Sequence, residues 1–344
     1  MTVENRNRTV VQRTTGDLRD AIEILETPIP TPGAGELLVQ LVVAPINPAE
    51  NLMMRGEYGY GDSAPSLPRS MGIEGVGRVV DGATEDIPVG SHVSLAGTRD
   101  VFSDFRLLRA DRALVLPHSI DVDTFAVSYV NVQSVLLMLS EWEGLHEGDW
   151  LIQNASNSGY ARVLDAVAGR RGLRVVNVVR SAESAAKIDG LMQGPVIVEG
   201  QDLDEQVLGA TAGVRPKVAI DAVGGQSTGR LASVLAHGGR VVTYGLLSGQ
   251  EIQLDTRLVV FNDIRLGGFW MPRSMMRTPK GARREIGREA IEIIADRSFE
   301  VPVTARYDLA DIREAVSAAD GGGRDGKVVV TSSPSPLPGP FETS

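Results

Sequence analysis

The sequence contains no cysteine and only four histidines. The absence of cysteine excludes disulfide bonds, cysteine nucleophiles and thiolate metal sites. His92, His118, His146 and His237 lie far apart, and none belongs to an H-E-x-x-H or H-x-x-x-H pattern. Because metal sites normally need such spaced ligands, the sequence predicts no metal site.

The chain also lacks an excess of positive charge and a long apolar run. Its formal net charge is −10, so its field repels polyanions and nucleic acid is not an expected partner. No run approaches the ~20 apolar residues of a membrane helix. Residues 1–15 have no apolar stretch typical of a secretory signal. We therefore expect no membrane partner and a cytoplasmic location. G-x-S-x-G and Walker motifs are absent as well, which leaves hydrolase and P-loop functions without support.

The order of apolar patterns predicts an α/β protein with two domains. A length of 344 residues suits two domains of ordinary size. Residues 1–124 hold short β-rich runs separated by glycine and proline, and the strand-like runs within 271–333 are expected to return to this β-rich domain. Residues 125–270 alternate strand and helix patterns, which predicts a doubly wound parallel sheet. The proline-rich end, 334–344, is expected to be disordered.

Six short apolar runs are the predicted strands of that parallel sheet. They are Leu151–Asn154, Val175–Val179, Val196–Glu199, Val218–Asp221, Arg240–Tyr244 and Ile264–Trp270. Helical patterns lie between them, for example at Ala161–Ala168 and Ser227–Ala236.

A loop of small residues follows the first of these strands. The segment from Gln153 to Ala161 reads Q-N-A-S-N-S-G-Y-A. Small side chains allow phosphate oxygens to approach the backbone N–H groups at a helix N-terminus. The G-x-G-x-x-G fingerprint is missing, so the loop alone also fits an ordinary strand-to-helix turn. Its place in the first unit of an alternating domain favours a dinucleotide site.

Arg180 indicates which dinucleotide is bound. It follows the second predicted strand, in N-V-V-R-S, with no acid immediately before it. A carboxylate at this place binds the ribose hydroxyls of NAD, whereas an arginine suits a 2′-phosphate. The sequence therefore predicts NADPH, although a solvated arginine at a strand end is the simpler interpretation.

Several segments resemble the zinc-free 2-enoyl thioester reductases, the mitochondrial-type enoyl-CoA reductases of the medium-chain dehydrogenase/reductase superfamily. The matching segments read I-N-P-A-E-N from Ile46, G-E-Y-G from Gly56, M-G-I-E-G-V-G from Met71, Q-N-A-S-N-S-G from Gln153, V-N-V-V-R from Val176, A-V-G-G from Ala222, V-T-Y-G from Val242 and G-F-W from Gly268. N-A-S-N-S-G is the most specific of them. The resemblance runs from about Glu23 to Thr331. It implies a β-rich GroES-like catalytic domain, a Rossmann cofactor domain, and a homodimer formed through the last strand of the parallel sheet.

The resemblance also implies the reaction and the residues that perform it. NADPH delivers hydride to the β-carbon of a 2-enoyl thioester on coenzyme A or acyl carrier protein, and a tyrosine, in place of a metal, assists protonation of the α-carbon. The implied acid is Tyr58, with Tyr60 as the competing assignment, and the other implied catalytic residues are Asn47 and Trp270. The implied cofactor contacts are Asn131, Ser134, Asn157, Ser158, Gly159, Tyr160, Ala161, Arg180, Val223, Tyr244, Gly245, Phe269, Trp270 and Lys327. Such an enzyme belongs to fatty acid or polyketide metabolism.

Two segments depart from the pattern of the resembled family. N-V-Q-S from Asn131 stands where the family has N-P-x-T, and Tyr160-Ala161 stands where it has Val-Gly. Two alternatives stay open, and the departures bear on the second of them. One is a quinone or enone reductase of the same superfamily, which would not need Tyr58. The other is an NADPH-binding sensor or structural protein with little catalysis.

A cluster of basic residues follows Trp270 in an otherwise acidic chain. Its members are Arg273, Arg277, Lys280, Arg283, Arg284 and Arg288. Such a cluster attracts the phosphates of coenzyme A or the acidic surface of a carrier protein. A solvated helix face explains the same cluster, so both interpretations stay open.

Overall fold

The computed structural model describes residues 6–61, 64–142, 144–321 and 325–333. The chain forms two compact units, Met1–Val130 with Pro302–Ser344, and Asn131–Val301. The expected domains, 1–124 with 271–333 against 125–270, differ from this division at residues 125–130 and 271–301. The predicted disordered end, 334–344, lies outside the described residues.

Residues 271–301 belong to the second unit because their side chains pack within it. Arg171 pairs with Glu289 at 3.6 Å, and Ile294 is buried. Val301 lies against Gly159 so closely that a Cβ on that glycine would stand 2.7 Å from Val301 Cγ1. The boundary expected at residue 271 therefore falls earlier than the observed one.

The strands of the described residues are numbered in chain order. They are β1 (Arg6–Gln12), β2 (Ile22–Pro28), β3 (Glu36–Pro45), β4 (Arg69–Ser70), β5 (Val76–Asp81), β6 (His92–Ser94), β7 (Phe105–Arg109), β8 (Leu114–Val115), β9 (Trp150–Gln153), β10 (Arg174–Val179), β11 (Val196–Val198), β12 (Val218–Asp221), β13 (Arg240–Thr243), β14 (Arg265–Gly268), β15 (Val303–Asp308) and β16 (Lys327–Thr331).

The helices are numbered in the same way. They are α1 (Pro48–Arg55), α2 (Val122–Ser140), α3 (Gly159–Arg170), α4 (Ala182–Ile188), α5 (Leu203–Ala210), α6 (Gly225–Ser233), α7 (Thr256–Asn262), α8 (Met271–Arg277), α9 (Lys280–Ala295) and α10 (Ile312–Asp320), with short 3₁₀ turns at Ala110–Arg112 and Leu309–Asp311.

The first unit is built mainly from β-sheet, as its sequence predicts. A small antiparallel sheet has the order β2-β1-β4, and a larger one runs β15-β16-β3-β5-β6-β8, with β7 also paired to β3. Strand β3 is central because it pairs with β5, β7 and β16. Its Leu37, Val39 and Leu41 are buried in the core, and α10 adds Ile312 and Val316 to the same cluster.

The second unit carries a six-stranded parallel sheet of order β11-β10-β9-β12-β13-β14. Numbered from its first strand, this is the 3-2-1-4-5-6 order of dinucleotide-binding domains, with the strand order reversing between β9 and β12. Ile152, Val176, Ala219 and Val241 are fully buried, as expected for strands covered on both faces. The predicted α/β fold with a doubly wound sheet is confirmed, and each of the six predicted strands is present.

Helix α2 is the one helix of the described residues that is long and apolar enough to cross a membrane by length and composition alone. Within the protein, 72% of its most apolar window is buried. The core helix of a globular protein meets the same criterion. The boundary between the two units falls inside this helix.

Candidate functional site

The small-residue loop leads from β9 into helix α3 at the carboxyl edge of the parallel sheet. Ser158 caps the helix by accepting a hydrogen bond from the Ala161 N–H at 3.2 Å. The loop is tied to the neighbouring strand β10, because the Ser156 N–H donates to the Val178 carbonyl at 3.1 Å. The N–H groups of Gly159 and Tyr160 donate to no other described residue, so they are available to an acceptor outside the helix. Ala161 is fully buried, so its methyl group packs inside the protein.

The point where the strand order reverses is held by a buried polar cluster around Asp221. Its carboxylate accepts hydrogen bonds from Asn154 Nδ2 at 2.7 Å, the Val223 N–H at 2.9 Å and Thr228 Oγ1 at 2.6 Å. Asn154 Oδ1 in turn accepts from the Ala222 N–H at 2.8 Å. These bonds join the ends of β9 and β12 and fix the edge on which a dinucleotide would rest.

Arg180 follows the last residue of β10, where its sequence position predicts it. Its side chain is exposed, and it makes no hydrogen bond or ion pair with another residue of the described ranges. Since the carboxyl ends of β9 and β10 meet at the same edge, Arg180 and the start of α3 share that edge. The guanidinium is therefore free to meet an anion there.

Two tyrosines stack beside the start of α3. The rings of Tyr160 and Tyr244 lie 4.2 Å apart with an angle of 26° between their planes. Tyr160 Oη is 3.3 Å from Ser134 Oγ on α2, and Ser158 lies close enough to the Tyr244 hydroxyl to lower the pKa of that phenol slightly. Burial is the main cause that raises the pKa of both phenols, so they stay protonated in the physiological range. Four predicted cofactor residues thus form one contact cluster.

The other predicted cofactor residues of the second unit lie after β12, β13 and β14, on α2, or in the small-residue loop. Gly245 is required by close packing, since a Cβ would lie 2.4 Å from the Ala222 carbonyl oxygen. The Phe269 N–H donates to the Thr243 carbonyl at 2.9 Å, and Trp270 begins α8. The remaining ones are Asn131 on α2, Asn157 in the loop and Val223 after β12.

In the first unit, the structure places Asn47 and Lys327 together with two glutamates. Asn47 precedes helix α1, and its backbone N–H donates to Glu50 Oε2 at 3.0 Å. Its side-chain amide donates to Glu74 Oε1 at 2.7 Å and accepts from Lys327 Nζ at 2.5 Å. These partners fix which way the amide of Asn47 points. Asn47, Glu50, Glu74 and Lys327 are called the acid–lysine cluster below.

Within the acid–lysine cluster, Glu50 keeps its proton at a pH where a solvent-exposed glutamate has lost it. Burial, together with the negative charge of Glu74, raises the pKa of Glu50 to about 8. Within the described residues, Glu50 Oε1 has no hydrogen-bond partner, which disfavours the ionised form further. Burial also raises the pKa of Glu74, but Lys327 and Asn47 oppose the shift by stabilising its charged form. At neutral pH Glu50 is therefore mostly protonated.

Tyr58 lies just past the other end of α1. Gly56 ends the helix in the left-handed region at φ +81°, and the Tyr58 N–H donates to the Leu52 carbonyl at 3.2 Å. The ring of Tyr58 meets the ring of Tyr60 edge-on at 4.9 Å, and both pack on the core of the first unit. Arg69 lies 5.9 Å from the centre of the Tyr60 ring. Helix α1 thus joins the acid–lysine cluster to the tyrosine loop.

Sequence reasoning missed Glu50, Glu74 and Asp221 as members of these clusters. Each lies within a resembling segment or a predicted strand, but a lone acid in an apolar segment does not reveal its partner. The nearest signal is that Glu74 stands in M-G-I-E-G-V-G among apolar residues and glycines, where an exposed acid is not expected. In the described part of the chain, no group of three or more His, Asp or Glu side chains is placed to hold a metal ion.

The chain is similar to known oxidoreductases in both sequence and fold. A family profile described as zinc-binding dehydrogenase matches residues 164–286. A mitochondrial enoyl-[acyl-carrier-protein] reductase of Caenorhabditis elegans is 32% identical over 272 residues, which cover 76% of this chain and 78% of the relative. The solved structure of a Bacillus thuringiensis protein assigned as an NADPH:quinone reductase superposes with a TM-score of 0.83 at 25% identity, covering 95% of this chain and 99% of that one. The Etr1p/NADP/crotonyl-CoA complex gives a TM-score of 0.80 at 21% identity with the same coverage.

These relatives correct one expectation and confirm another. The predicted cytoplasmic location is wrong, because the similar reductases are named as mitochondrial enzymes. The resemblance to zinc-free 2-enoyl thioester reductases is confirmed. The matched profile, despite its name, lies wholly within the second unit, and the chain has no cysteine with which to build a thiolate zinc site. The chain belongs to the enoyl-[acyl-carrier-protein] reductase family, within the zinc-free 2-enoyl thioester branch of the medium-chain dehydrogenase/reductase superfamily.

Proposed function

We propose that this protein is an NADPH-dependent, zinc-independent reductase of the C=C bond of 2-enoyl thioesters. The observation that carries the proposal is its membership of the enoyl-[acyl-carrier-protein] reductase family. The similar Etr1p structure holds NADP and crotonyl-CoA, a 2-enoyl thioester. Arg180 at the end of β10 agrees with a cofactor that carries a 2′-phosphate.

The residues of the second unit fit NADPH. The N–H groups of Gly159 and Tyr160 at the start of α3 suit the pyrophosphate, and the exposed guanidinium of Arg180 suits the 2′-phosphate. Bound NADPH supplies the hydride for the β-carbon of the substrate. The other residues proposed to hold it are Asn131, Ser134, Asn157, Ser158, Ala161, Val223, Tyr244, Gly245, Phe269 and Trp270, with Lys327 from the first unit.

Tyr58 is the proposed acid of the reaction. Reduction at the β-carbon leaves negative charge on the thioester enolate, whose α-carbon then takes a proton. A phenol O–H can stabilise that oxygen and supply the proton without a metal. The left-handed Gly56 and the Leu52 carbonyl hold the loop that carries Tyr58. Asn47 and Trp270 are the other residues proposed to serve catalysis, Asn47 through its fixed amide.

The variant Tyr58→Phe tests this assignment. We expect kcat with crotonyl-CoA to fall by about 10²- to 10⁴-fold, because general acid catalysis contributes about that much. The Kd for NADPH, measured by fluorescence titration, should not change. Tyr60→Phe is the matched control and should keep most of its activity. Turnover by Tyr58→Phe at the normal rate would assign the proton transfer to another group.

A quinone reductase is the second candidate. The observation that favours it is the similarity to the Bacillus thuringiensis protein at a TM-score of 0.83. Oxidation of NADPH, followed with crotonyl-CoA, with a quinone and with no acceptor, separates the candidates. Turnover of the thioester supports the proposed function, whereas turnover of the quinone alone supports the second candidate. Tight NADPH binding without turnover of either points to a sensor.

The sheet edge at β14 supports a proposed homodimer. All four residues of β14 are exposed, and it is the last strand of its sheet. Leu266 within it is 45% exposed, and Val260 and Phe261 on the preceding helix α7 are 63% and 72% exposed. An exposed apolar edge of this kind pairs readily with another chain. A second copy of this protein, paired through β14, is the occupant we propose.

A further inference from the structure

Helix α9 carries a stripe of three cations. Lys280, Arg284 and Arg288 stand four residues apart, so they share one face of the helix, and all three are exposed. The stripe ends one turn later, where Glu292 occupies the next position on that face. These three residues are called the basic stripe.

The structure separates the basic stripe from the other cations of the same segment. Arg283 donates to the Thr278 carbonyl at 2.7 Å and to the Met276 carbonyl at 3.2 Å, so it stabilises the end of α8. Arg273 donates to the Gly268 carbonyl at 3.0 Å. No residue of the basic stripe makes a side-chain hydrogen bond or ion pair within the described ranges. The three cations of the basic stripe therefore do not stabilise the fold through ion pairs or hydrogen bonds within the described residues.

The basic stripe also opposes the stability of its own helix. Lys280 is the first residue of α9, and no acid lies in the first turn, although a helix N-terminus favours negative charge by about 0.3–1 kcal/mol per group. The two like-charge pairs four residues apart, Lys280 with Arg284 and Arg284 with Arg288, each destabilise the helix by about 0.2–0.5 kcal/mol, and the one opposite-charge pair on this face, Arg288 with Glu292, offsets about one of them. A charge pattern that disfavours the free helix is stabilised when a negative surface binds to it.

We propose that the basic stripe is the docking surface for the acidic surface of an acyl carrier protein, which delivers the 2-enoyl chain to this enzyme. This inference rests on the proposed function, since a carrier is needed only if the substrate is a thioester. The whole chain, with the stripe included, has a net charge of −10, which repels an acidic carrier. A local patch of cations is then required to orient the encounter.

The shape of the basic stripe favours a protein over the phosphates of coenzyme A. Arg288 stands eight positions after Lys280 along the helix, which spreads the three charges along about 12 Å. A single phosphate contacts one or two neighbouring cations, whereas an acidic helix of a carrier presents several carboxylates along such a length. The stripe also follows α8, whose first residue comes directly after Trp270, a residue proposed to serve catalysis.

The test compares two double variants with equal change in net charge. Arg284→Glu with Arg288→Glu removes most of the basic stripe, and Arg78→Glu with Arg112→Glu changes exposed arginines of the first unit that form no ion pair within the described residues. Steady-state rates are measured at low ionic strength with crotonyl-acyl carrier protein, crotonyl-CoA and crotonyl-pantetheine, which carries no nucleotide phosphates. Binding of crotonyl-acyl carrier protein is measured separately by calorimetry.

In the stripe variant we expect KM for the carrier-bound substrate to rise about tenfold or more and the Kd for the carrier to rise by the same factor. The kcat should not change, and neither should the kinetic constants for crotonyl-CoA and crotonyl-pantetheine. The control pair should leave all of these values near those of the unmodified enzyme. The unfolding temperature of the stripe variant should not fall. Carrier binding that stays unchanged in the stripe variant overturns the proposal, and so does an equal rise of KM for crotonyl-CoA, which would make the stripe a phosphate site. If the unmodified enzyme reduces none of the thioesters, the proposed function fails, and the binding measurement still decides the docking surface.

Discussion

The acid–lysine cluster predicts that this protein loses stability as the pH rises. In most proteins the titration of carboxylates has the opposite effect, since stability rises as the pH is raised from the acid range. The perturbation that shows it is Glu50→Gln. Glutamine keeps an oxygen to accept the Asn47 N–H, which Glu50 accepts at 3.0 Å, but it cannot ionise. The substitution therefore removes the titration and preserves the shape of the cluster.

The sign follows from proton binding in the folded and unfolded states. Between pH 4.5, the ordinary pKa of Glu50, and its folded pKa of about 8, the unfolded chain has lost this proton and the folded chain has kept it. Stability falls with rising pH wherever the folded state binds more protons. At about 1.4 kcal/mol per pKa unit, full ionisation of Glu50 would lower the free energy of unfolding by on the order of 5 kcal/mol. Sharing of the proton with Glu74 divides this effect between the two acids.

Scanning calorimetry from pH 5 to pH 9 measures the effect as the unfolding temperature of the first unit. We expect the unmodified protein to lose stability across this range and Glu50→Gln to lose much less, so that the variant becomes the more stable protein at pH 9. Glu57→Gln, at an exposed position just after α1, is the matched control and should follow the unmodified protein. Parallel curves for Glu50→Gln and the unmodified protein would refute the buried, protonated state of Glu50.

Three further predictions concern the second unit. Arg180→Ala should weaken NADPH binding about 10- to 100-fold and leave NADH binding unchanged, since a charge-assisted hydrogen bond to the 2′-phosphate contributes about 1.5–3 kcal/mol. Both affinities are measured by fluorescence titration. An equal loss of affinity for the two cofactors would contradict the role of Arg180. Tyr160→Phe should lower the free energy of unfolding in urea by about 1 kcal/mol, because it removes the 3.3 Å hydroxyl contact to Ser134 while the ring keeps its stacking; no change would mean that this bond is not formed in solution. Phe261→Asp with Leu266→Lys should convert the proposed homodimer to a monomer in sedimentation velocity, and an unchanged mass would place the interface elsewhere.

Much of the cofactor domain could be predicted from the sequence because its signals are local. Residues adjacent in sequence determine whether a segment forms a strand, a turn or a helix in this domain. This holds for the six apolar runs, for the small-residue loop before α3 and for the arginine after β10. The parallel order of the sheet then follows from the alternation of strands and helices and from the handedness of their connections. The absence of cysteine, likewise, needs no structure to exclude a thiolate site.

Tertiary structure alone decided which distant residues meet. Glu50, Glu74 and Lys327 come from three separate segments. Only the meeting of the start of α1, the start of β16 and the segment before β5 makes them one cluster, in which burial raises the pKa of both glutamates. Six basic residues after Trp270 look alike in sequence, yet the fold uses Arg273 and Arg283 to bind backbone carbonyls and leaves the basic stripe to solvent. Residues 271–301 joined the second unit for the same reason, since burial and hydrogen bonding depend on partners that are close in space and far apart in the chain. A sequence pattern indicates the preference of each segment for strand, helix or solvent. The partner of a buried charged group, in contrast, is determined only when tertiary folding brings distant segments together.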